Sequence, residues 1–146
     1  MIADPSLALR PVGDADIAAC HGLMRQLRPH LADRQAFVAQ WRRQTAAGYR
    51  LIALWAGDRP VALAGCRVQE TFVHGRFLYV DDLVCDHALR GRGLGARLMR
   101  AIEEQARADG CAKVVLDTGL DNVLGHRFYY RHGLVAMALR FHRGLS

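Results

Sequence analysis

An arginine- and glycine-rich loop lies between an apolar stretch and a segment with helical periodicity. From Leu83 to Ala96 the sequence reads L-V-C-D-H-A-L-R-G-R-G-L-G-A. Glycine has no Cβ, so the backbone N–H groups of such a loop can close around an anion, and the first turn of a following helix adds unpaired donors and a positive dipole end. Arg90 and Arg92 add fixed positive charge. The pattern predicts a phosphate-binding loop.

The same loop also satisfies a dinucleotide-binding pattern. Gly91 to Ala96 fits G-x-G-x-x-G/A, and Asp117 follows at about the spacing of a ribose-binding acid. A dinucleotide fold normally turns directly from a strand into the glycines, whereas residues 86–90 intervene here. One complete β-α-β unit is readable around the loop. A nicotinamide- or flavin-dependent oxidoreductase is therefore the less favoured alternative.

Two adjacent acids precede the loop, inside the apolar run L-Y-V-D-D-L-V. Asp81 and Asp82 are costly in such a strand unless they have a function, and a carboxylate there can act as a general base. Adjacent strand residues face opposite sides, so at most one should face a substrate unless a bulge intervenes. The alternative is that both acids are solvated or cap local backbone groups.

The sequence lacks the residue patterns that serine catalysis, metal binding and cysteine redox chemistry require. The two serines, Ser6 and Ser146, are terminal and no G-x-S-x-G is present, which excludes covalent serine catalysis. None of the seven histidines has ligand spacing, so no metal site is predicted. The four cysteines form no C-x-x-C pair and are predicted to be reduced, structural thiols, with Cys85 packed rather than nucleophilic.

Size and composition predict one globular domain over residues 1–146. The chain is 51% hydrophobic and 23% charged, without a repeat or low-complexity run. It shows neither a basic-then-apolar leader nor an apolar run long enough to span a bilayer, which predicts a cytoplasmic protein without a membrane partner. The net charge of +6 comes from nineteen arginines and one lysine spread along the chain. This dispersion argues against a nucleic-acid partner, and an anionic small ligand explains the basic loop more simply.

The periodicities predict an α/β (α+β) fold with a mixed, mostly antiparallel central sheet and helices on both faces. Asp14 is predicted to cap the first helix, and the run V-V-L near Val115 is predicted to be a central strand buried on both faces. The predicted strands are Leu7–Arg10, Arg50–Ala56, Arg59–Glu70, Arg76–Cys85, Lys113–Asp117 and Val135–Phe141. The predicted helices are Asp14–Arg28, Arg34–Ala46, one from Leu94 to about Asp109, and Asn122–His132.

Two motifs in this order resemble the GCN5-related N-acetyltransferases, the GNAT superfamily. R-G-R-G-L-G at Arg90 to Gly95 fits R-x-x-G-x-G/A. N-V-L-G-H-R-F-Y-Y-R-H-G-L at Asn122 to Leu134 fits N-x-x-A-x-x-F-Y-x-x-x-G-F, with Gly125 replacing the alanine and Leu134 the final phenylalanine. The resemblance covers roughly Leu51 to the C-terminus, and it implies acetyl transfer from acetyl-CoA to an amine.

The resemblance implies a cofactor site in three parts. The pyrophosphate is expected at the phosphate loop, and the pantetheine arm along the end of a strand that splays from its neighbour, with Asn122 assisting. The expected pyrophosphate residues are Arg90, Gly91, Arg92, Gly93, Leu94, Gly95 and Ala96. The expected pantetheine residues are Leu83, Val84 and Cys85. No metal is expected.

The resemblance also implies acid–base roles. Asp81 is favoured over Asp82 as the base that deprotonates the amine, often through a water in such enzymes, and Tyr129 is expected to protonate the CoA thiolate. Tyr130 points about 100° away from Tyr129 on a helix. Core packing is the alternative role for Tyr129.

The acceptor and the assembly state stay open at this level. Acids around the sulfur end favour a cationic amine of a small molecule, such as a polyamine or an aminoglycoside, or of a peptide. Five residues form this predicted acidic set: Glu70, Asp81, Asp82, Asp117 and Asp121. A non-catalytic acetyl-CoA sensor or scaffold is the alternative function. The apolar final strand makes a homodimer a further expectation.

Overall fold

The strands and helices follow the sequence periodicities along most of the chain. A computed structural model describes residues 6–146, and residues 1–5, where the sequence predicts no leader, lie outside the described part. The strands are β1 (Ala8–Pro11), β2 (Arg50–Ala56), β3 (Arg59–Thr71), β4 (Gly75–Cys85) and β5 (Lys113–Leu116). The α-helices are α1 (His21–Leu27), α2 (Arg34–Ala46), α3 (Leu94–Ala108) and α4 (Val123–Arg131). Short 3₁₀ turns occupy Ile17–Cys20 and His87–Leu89.

One sheet holds the strands in the order β1-β2-β3-β4-β5. The first four strands pair antiparallel, each with the next one along the chain. The amide of Ala112 donates to the carbonyl of Arg76 at 2.8 Å, so β5 starts beside the start of β4 and runs parallel to it. The predicted mixed, mostly antiparallel sheet is confirmed. The predicted central position of β5 is wrong, because β5 forms an edge and its residues are only half-buried or exposed.

Helices cover both faces of the sheet. Alternate strand residues face opposite sides, and Leu51 and Ala53 of β2 pack with α1 and α2 in one apolar cluster. Leu54, which follows Ala53 and so faces the other side, is also fully buried. Helix α3 contacts β3 and β4. The side chains that it buries are Leu94, Leu98, Met99, Ile102 and Ala106. The helical spacing of that predicted apolar stripe is confirmed.

The first predicted helix is wrong in its start. Asp14 does not cap it; its carboxylate accepts from Arg42 Nε at 3.0 Å, and the chain passes through the 3₁₀ turn before α1 begins at His21. The second helix has the predicted bounds, and Asp33 caps it by accepting from the amide of Ala36 at 2.8 Å. Because α1 begins only at His21, the unpaired amides of its first turn lie beyond the reach of a cap at Asp14.

The C-terminal segment does not form the predicted strand. Residues 134–146 adopt neither helix nor strand, and the alternating apolar side chains Val135, Met137, Leu139 and Phe141 are exposed. The pattern has the period of a strand, but a strand forms only where a neighbour supplies hydrogen bonds. That prediction is therefore wrong in this structure.

The described chain separates into two compact units. The first runs to Val115, and the second is Leu116–Ser146. The prediction of one domain stays a prediction. In the described part, every helix is too short or too polar to traverse a lipid bilayer.

Candidate active site

A β-bulge in β4 places both predicted acids at one cavity. Gly65 pairs with Asp82 and Cys66 pairs with Val80, so Asp81 is an extra residue opposite the bond between Gly65 and Cys66. An extra residue locally breaks the alternation of the strand. Both Asp81 and Asp82 therefore line the same cavity, which is the exception that the sequence reasoning had allowed.

The cavity belongs to the first unit and has a volume of about 350 Å³. Its wall combines apolar residues of the helices with polar residues of the strands. The lining residues are Met24, Arg28, His30, Leu31, Phe37, Gln40, Trp41, Gln44, Tyr49, Leu51, Arg67, Asp81 and Asp82. Ligand pockets in proteins span roughly 300–1,000 Å³, so this volume suits a small molecule.

Asp81 is held by two arginines in different ways. Arg67 Nε donates to Asp81 Oδ2 at 3.0 Å, and Arg28 Nη2 donates to the Asp81 carbonyl at 2.8 Å. Burial raises the pKa of the Asp81 carboxyl above its usual value, and the hydrogen bond and charge of Arg67 offset only part of that rise. A carboxylate with a raised pKa is a better proton acceptor, as a general base requires.

Asp82 is the more enclosed of the two carboxylates. The Tyr49 hydroxyl donates to Asp82 Oδ2 at 2.7 Å, and Arg28 Nε donates to Oδ1 at 3.1 Å. Burial and the neighbouring Asp82 carboxylate raise the pKa of Tyr49 well above its usual value, so Tyr49 stays a neutral donor. Both oxygens of Asp82 are therefore committed to protein partners, which leaves Asp81 as the better candidate base.

A glycine makes the contact between Tyr49 and Asp82 possible. A Cβ added at Gly65 would lie 1.8 Å from the Tyr49 hydroxyl oxygen and 2.4 Å from the ring carbon that bears it. Gly65 does not have a positive φ, so the requirement is for space and not for backbone freedom. The Tyr49 ring thus crosses β3 where a side chain is missing.

Asp86 and the 3₁₀ turn His87–Leu89 connect β4 to the predicted phosphate loop, residues 90–96. Gly91 has φ +80°, and Gly93, the N-terminal cap residue of α3, has φ +78°, a region that favours glycine. A Cβ at Gly91 would meet no atom within 4 Å, so the loop backbone is open to a ligand. Arg90 and Arg92 are exposed beside it, and the first turn of the 15-residue α3 follows. Donors and charge of this kind fit a pyrophosphate.

A buried carboxylate anchors the start of this loop. Asp86 accepts from the amide of Ala88 at 3.1 Å, from Arg59 at 2.6 Å and from Gln26 at 3.4 Å. Gln26 in turn accepts from the amide of His87 at 3.0 Å. The backbone and Arg59 hydrogen bonds lower the pKa of Asp86, so it is ionised at neutral pH. The loop is thereby tied to α1, which also carries the cavity residue Met24.

The predicted pantetheine residues end β4. A four-residue β5 that starts beside Arg76 does not extend to Leu83, Val84 and Cys85, which is consistent with the expected splayed edge. Burial raises the pKa of the Cys85 thiol to about 11. Its thiolate is scarce at neutral pH, in agreement with the prediction that Cys85 is not a nucleophile.

The second unit carries the residues of the second motif. Asn122 caps α4, because its Oδ1 accepts from the amide of Gly125 at 3.1 Å and its Nδ2 donates to Thr118 at 3.0 Å. A Cβ at Gly125 would lie 2.3 Å from the Asn122 side-chain nitrogen, so an alanine there would require the Asn122 side chain to shift. Tyr129 lies on α4 with its ring edge-on to Phe128.

Three cavity residues escaped the sequence reasoning. Arg28 is marked in the sequence only as the last residue of the first predicted helix, yet it follows α1 and binds both aspartates of β4. Nothing in the local sequence marks Arg67 or Tyr49, because their partners lie 14 and 33 residues away. Of the acidic set, Glu70 does not line the cavity. Across residues 6–146, no group of three or more potential metal ligands comes together.

Comparison with known proteins adds independent findings. A family model described as the acetyltransferase (GNAT) family matches residues 18–134. Glucosamine 6-phosphate N-acetyltransferase 1 of Oryza sativa subsp. japonica is 38% identical over 117 residues, which is 75% of this chain and 71% of that protein. Aminoalkylphosphonate N-acetyltransferase of Salmonella typhimurium is 29% identical over 145 residues, 97% of this chain and 93% of the relative. A solved Trypanosoma brucei acetyltransferase is similar with a TM-score of 0.77 and 25% identity, covering 95% and 99% of the two chains.

Proposed function

The chain belongs to the acetyltransferase (GNAT) family as an acetyl-CoA-dependent N-acetyltransferase, and we propose that its acceptor is the amine of a small molecule bound in the cavity of the first unit. The observation that carries the proposal is the position of Asp81. The strand that places this carboxylate in the cavity ends at Cys85, and a short turn, His87–Leu89, connects it to the predicted phosphate loop. A candidate base and a candidate cofactor site therefore lie on one short stretch of chain.

The size of the cavity supports a small acceptor over a peptide. Its volume of about 350 Å³ is near the lower end of ligand pockets. The rice and Salmonella relatives are named for the acetylation of glucosamine 6-phosphate and of an aminoalkylphosphonate, which are both small amines. Phe37, Trp41 and Leu51 supply an apolar wall for the carbon skeleton of such a molecule.

The cofactor assignments follow the family motif and the loop geometry. The backbone of residues 90–96 and the guanidinium groups of Arg90 and Arg92 would hold the pyrophosphate. Leu83, Val84 and Cys85 would pair with the pantetheine arm, and Asn122 would assist it. Acetyl-CoA supplies the acetyl group as a thioester with a good leaving group.

Asp81 is the proposed base. An alkylammonium with a pKa near ~10 must lose a proton before its nitrogen can attack. The raised pKa of Asp81 suits it to accept that proton, directly or through a water, and the second proton, which the nitrogen loses after it attacks, passes to solvent. Asp82 keeps the neighbouring Arg28 and Tyr49 in place and is proposed to act through that arrangement.

Tyr129 is the proposed acid, on the strength of its position in the second motif. As the C–S bond breaks, the departing sulfur would take the phenolic proton of Tyr129. The phenolate regains a proton from solvent, and Asp81 releases one, so the net products are the amide, the thiol of CoA and the proton lost by the ammonium. A general acid of this kind contributes roughly 10²- to 10⁴-fold in rate.

Calorimetric titration with acetyl-CoA tests the cofactor site, with NADH and NADPH as controls. Saturable acetyl-CoA binding that is weakened in Arg90→Gln supports the proposal. Binding of a nicotinamide cofactor instead would favour the dinucleotide alternative. Acetyl-CoA binding without any acetylated amine would favour the sensor or scaffold alternative.

Turnover is best followed by chromatographic detection of the acetylated amine and CoA. All four cysteines are free thiols and Cys111 is partly exposed, so a thiol reagent would detect the protein as well as CoA. The cytoplasmic location and the homodimer stay predictions. Light scattering after gel filtration measures the mass of the assembly directly.

A further inference from the structure

The acceptor cavity contains two arginines that its two carboxylates do not fully occupy. Arg67 Nε donates to the Asp81 carboxylate. Arg28 Nε donates to the Asp82 carboxylate, and Arg28 Nη2 donates to the Asp81 carbonyl. A guanidinium has five N–H donors. Among residues 6–146, no hydrogen-bond or ion-pair partner is found for the two Nη groups of Arg67 or for Nη1 of Arg28; the Arg67 guanidinium also lies over the Tyr49 ring, 5.6 Å from its centre.

From this arrangement we infer that the cavity has an anion subsite at Arg28 and Arg67, and that the acceptor is an amine carrying a phosphate or phosphonate group. The inference rests on the proposed function, because it concerns the same cavity. Planar guanidinium groups bind tetrahedral oxyanions through paired N–H donors, and this favours a phosphorus acid over a neutral hydroxyl group.

The charge balance of the cavity points the same way. Arg28 and Arg67 offset Asp81 and Asp82, while Tyr49 is a neutral donor. A polyamine would find no uncompensated carboxylate and would place its charges near two guanidinium groups. An amine with its own anion places opposite charges against Asp81 and against the spare arginine donors.

The distances put both ends of such a molecule within reach. Arg67 bonds the Asp81 side chain at 3.0 Å and Arg28 bonds the Asp81 carbonyl at 2.8 Å, so both guanidinium groups adjoin the proposed base. The side chains of Arg28 and Arg67 are 42% and 27% exposed, so each is open to a ligand and yet partly shielded from water. Partial desolvation strengthens a charged hydrogen bond.

Matched acceptor pairs test the inference on the intact protein. The pairs are O-phosphoethanolamine with ethanolamine, glucosamine 6-phosphate with glucosamine, and 2-aminoethylphosphonate with ethylamine; spermidine serves as the polycation. We expect kcat/KM to be about 10- to 100-fold higher for the anionic member of at least one pair, the range for one charged hydrogen bond. The pairs also distinguish a phosphate ester from a phosphonate.

An arginine variant and a surface control locate the effect. Arg28→Gln should reduce the preference for the anionic member by about 10-fold or more, whereas Arg28→Lys should retain part of it. Arg25 is also on α1 but is exposed and does not line the cavity, so Arg25→Gln should keep the wild-type preference. In wild type, methylphosphonate should inhibit competitively against the acceptor when acetyl-CoA is saturating, since the phosphate loop is then filled.

The outcomes separate this inference from the proposed function. Acetylation of ethanolamine or spermidine at the same or higher kcat/KM than any anionic amine would overturn the anion subsite and leave the transferase function standing. Calorimetric binding of 2-aminoethylphosphonate to the CoA complex without turnover of any amine would support the subsite and overturn the function. Neither binding nor turnover would overturn both.

Discussion

Replacing Gly65 by alanine should disturb the arrangement that holds Asp82. The added Cβ would lie 1.8 Å from the Tyr49 hydroxyl oxygen, and ordinary contact begins near 3.4 Å, so the two atoms must separate by about 1.6 Å. Tyr49 is only 3% exposed and lines the cavity, so its ring could yield only toward that space. Either its 2.7 Å hydrogen bond to Asp82 breaks, or β3 shifts against β4.

The expected cost combines two effects. Loss of a hydrogen bond to a charged group costs about 1.5–3 kcal/mol, and overpacking a well-filled site costs about 1–3 kcal/mol. Strain that is relieved by breaking the hydrogen bond is not counted again as overpacking, so the two costs do not add in full. We expect the free energy of unfolding to fall by about 2–4 kcal/mol. For a chain of this size, each 1 kcal/mol lowers Tm by about 2–4 °C.

Urea denaturation, followed by tryptophan fluorescence, measures this change in two backgrounds. Tyr49→Ala removes the ring that clashes, so Gly65→Ala added to it should cost less than about 0.5 kcal/mol. Tyr49→Phe is the matched control. It keeps the ring carbons that would lie 2.4 and 2.6 Å from the new Cβ, so the alanine should stay costly there. An equal cost of Gly65→Ala in the wild-type and Tyr49→Ala backgrounds would refute the steric explanation.

Three further expectations concern the reaction. Asp81→Asn should lower kcat by about 10²- to 10⁴-fold. Because burial raises the pKa of Asp81, wild-type kcat/KM should fall as the pH drops through a value above the usual pKa of aspartate, ~3.9. A pH profile whose rate does not fall on the acid side above pH ~3.9 would contradict the role of Asp81 as base. Tyr129→Phe should lower kcat by about 10²-fold or more with little change in KM, while Tyr130→Phe should behave as wild type in steady-state assays; equal losses in the two variants would remove Tyr129 as the acid. Asp86→Asn should weaken acetyl-CoA binding in calorimetry because the loop loses its anchor. Since the folded-state pKa of Asp86 is lowered, the stability that the carboxylate contributes at neutral pH should disappear as the pH falls through that pKa. A difference in unfolding free energy between wild type and Asp86→Asn that stays constant from pH ~7 to pH ~3 would contradict this.

Local sequence determined most of the elements and predicted the glycine-rich loop before α3. The bounds of α2 and β2 match the prediction, because a cap at Asp33 and glycines after each element are signals within a few residues. The phosphate loop was readable for the same reason. Its left-handed Gly91 and Gly93 and the helix that follows are contiguous in the chain.

Pairing between distant segments was not readable in this way. A strand forms only when a partner offers backbone hydrogen bonds, so the alternation of residues 135–141 predicted a strand that the structure does not form. The V-V-L run suggested a central strand, yet β5 is at the edge. Asp14 has the side chain of a cap, but Arg42, 28 residues away, takes its carboxylate.

The sequence by itself identified the two acids, the phosphate loop and the motif tyrosine, since each depends on residue type and short spacing. Only the tertiary structure showed which groups surround the acids. The bulge turns Asp81 and Asp82 to one cavity, and Arg28 and Arg67 reach them from 53 and 14 residues away. The charge of a cavity is a sum over segments that folding brings together, so the anionic group proposed for the acceptor follows from the fold and not from any one stretch of the chain.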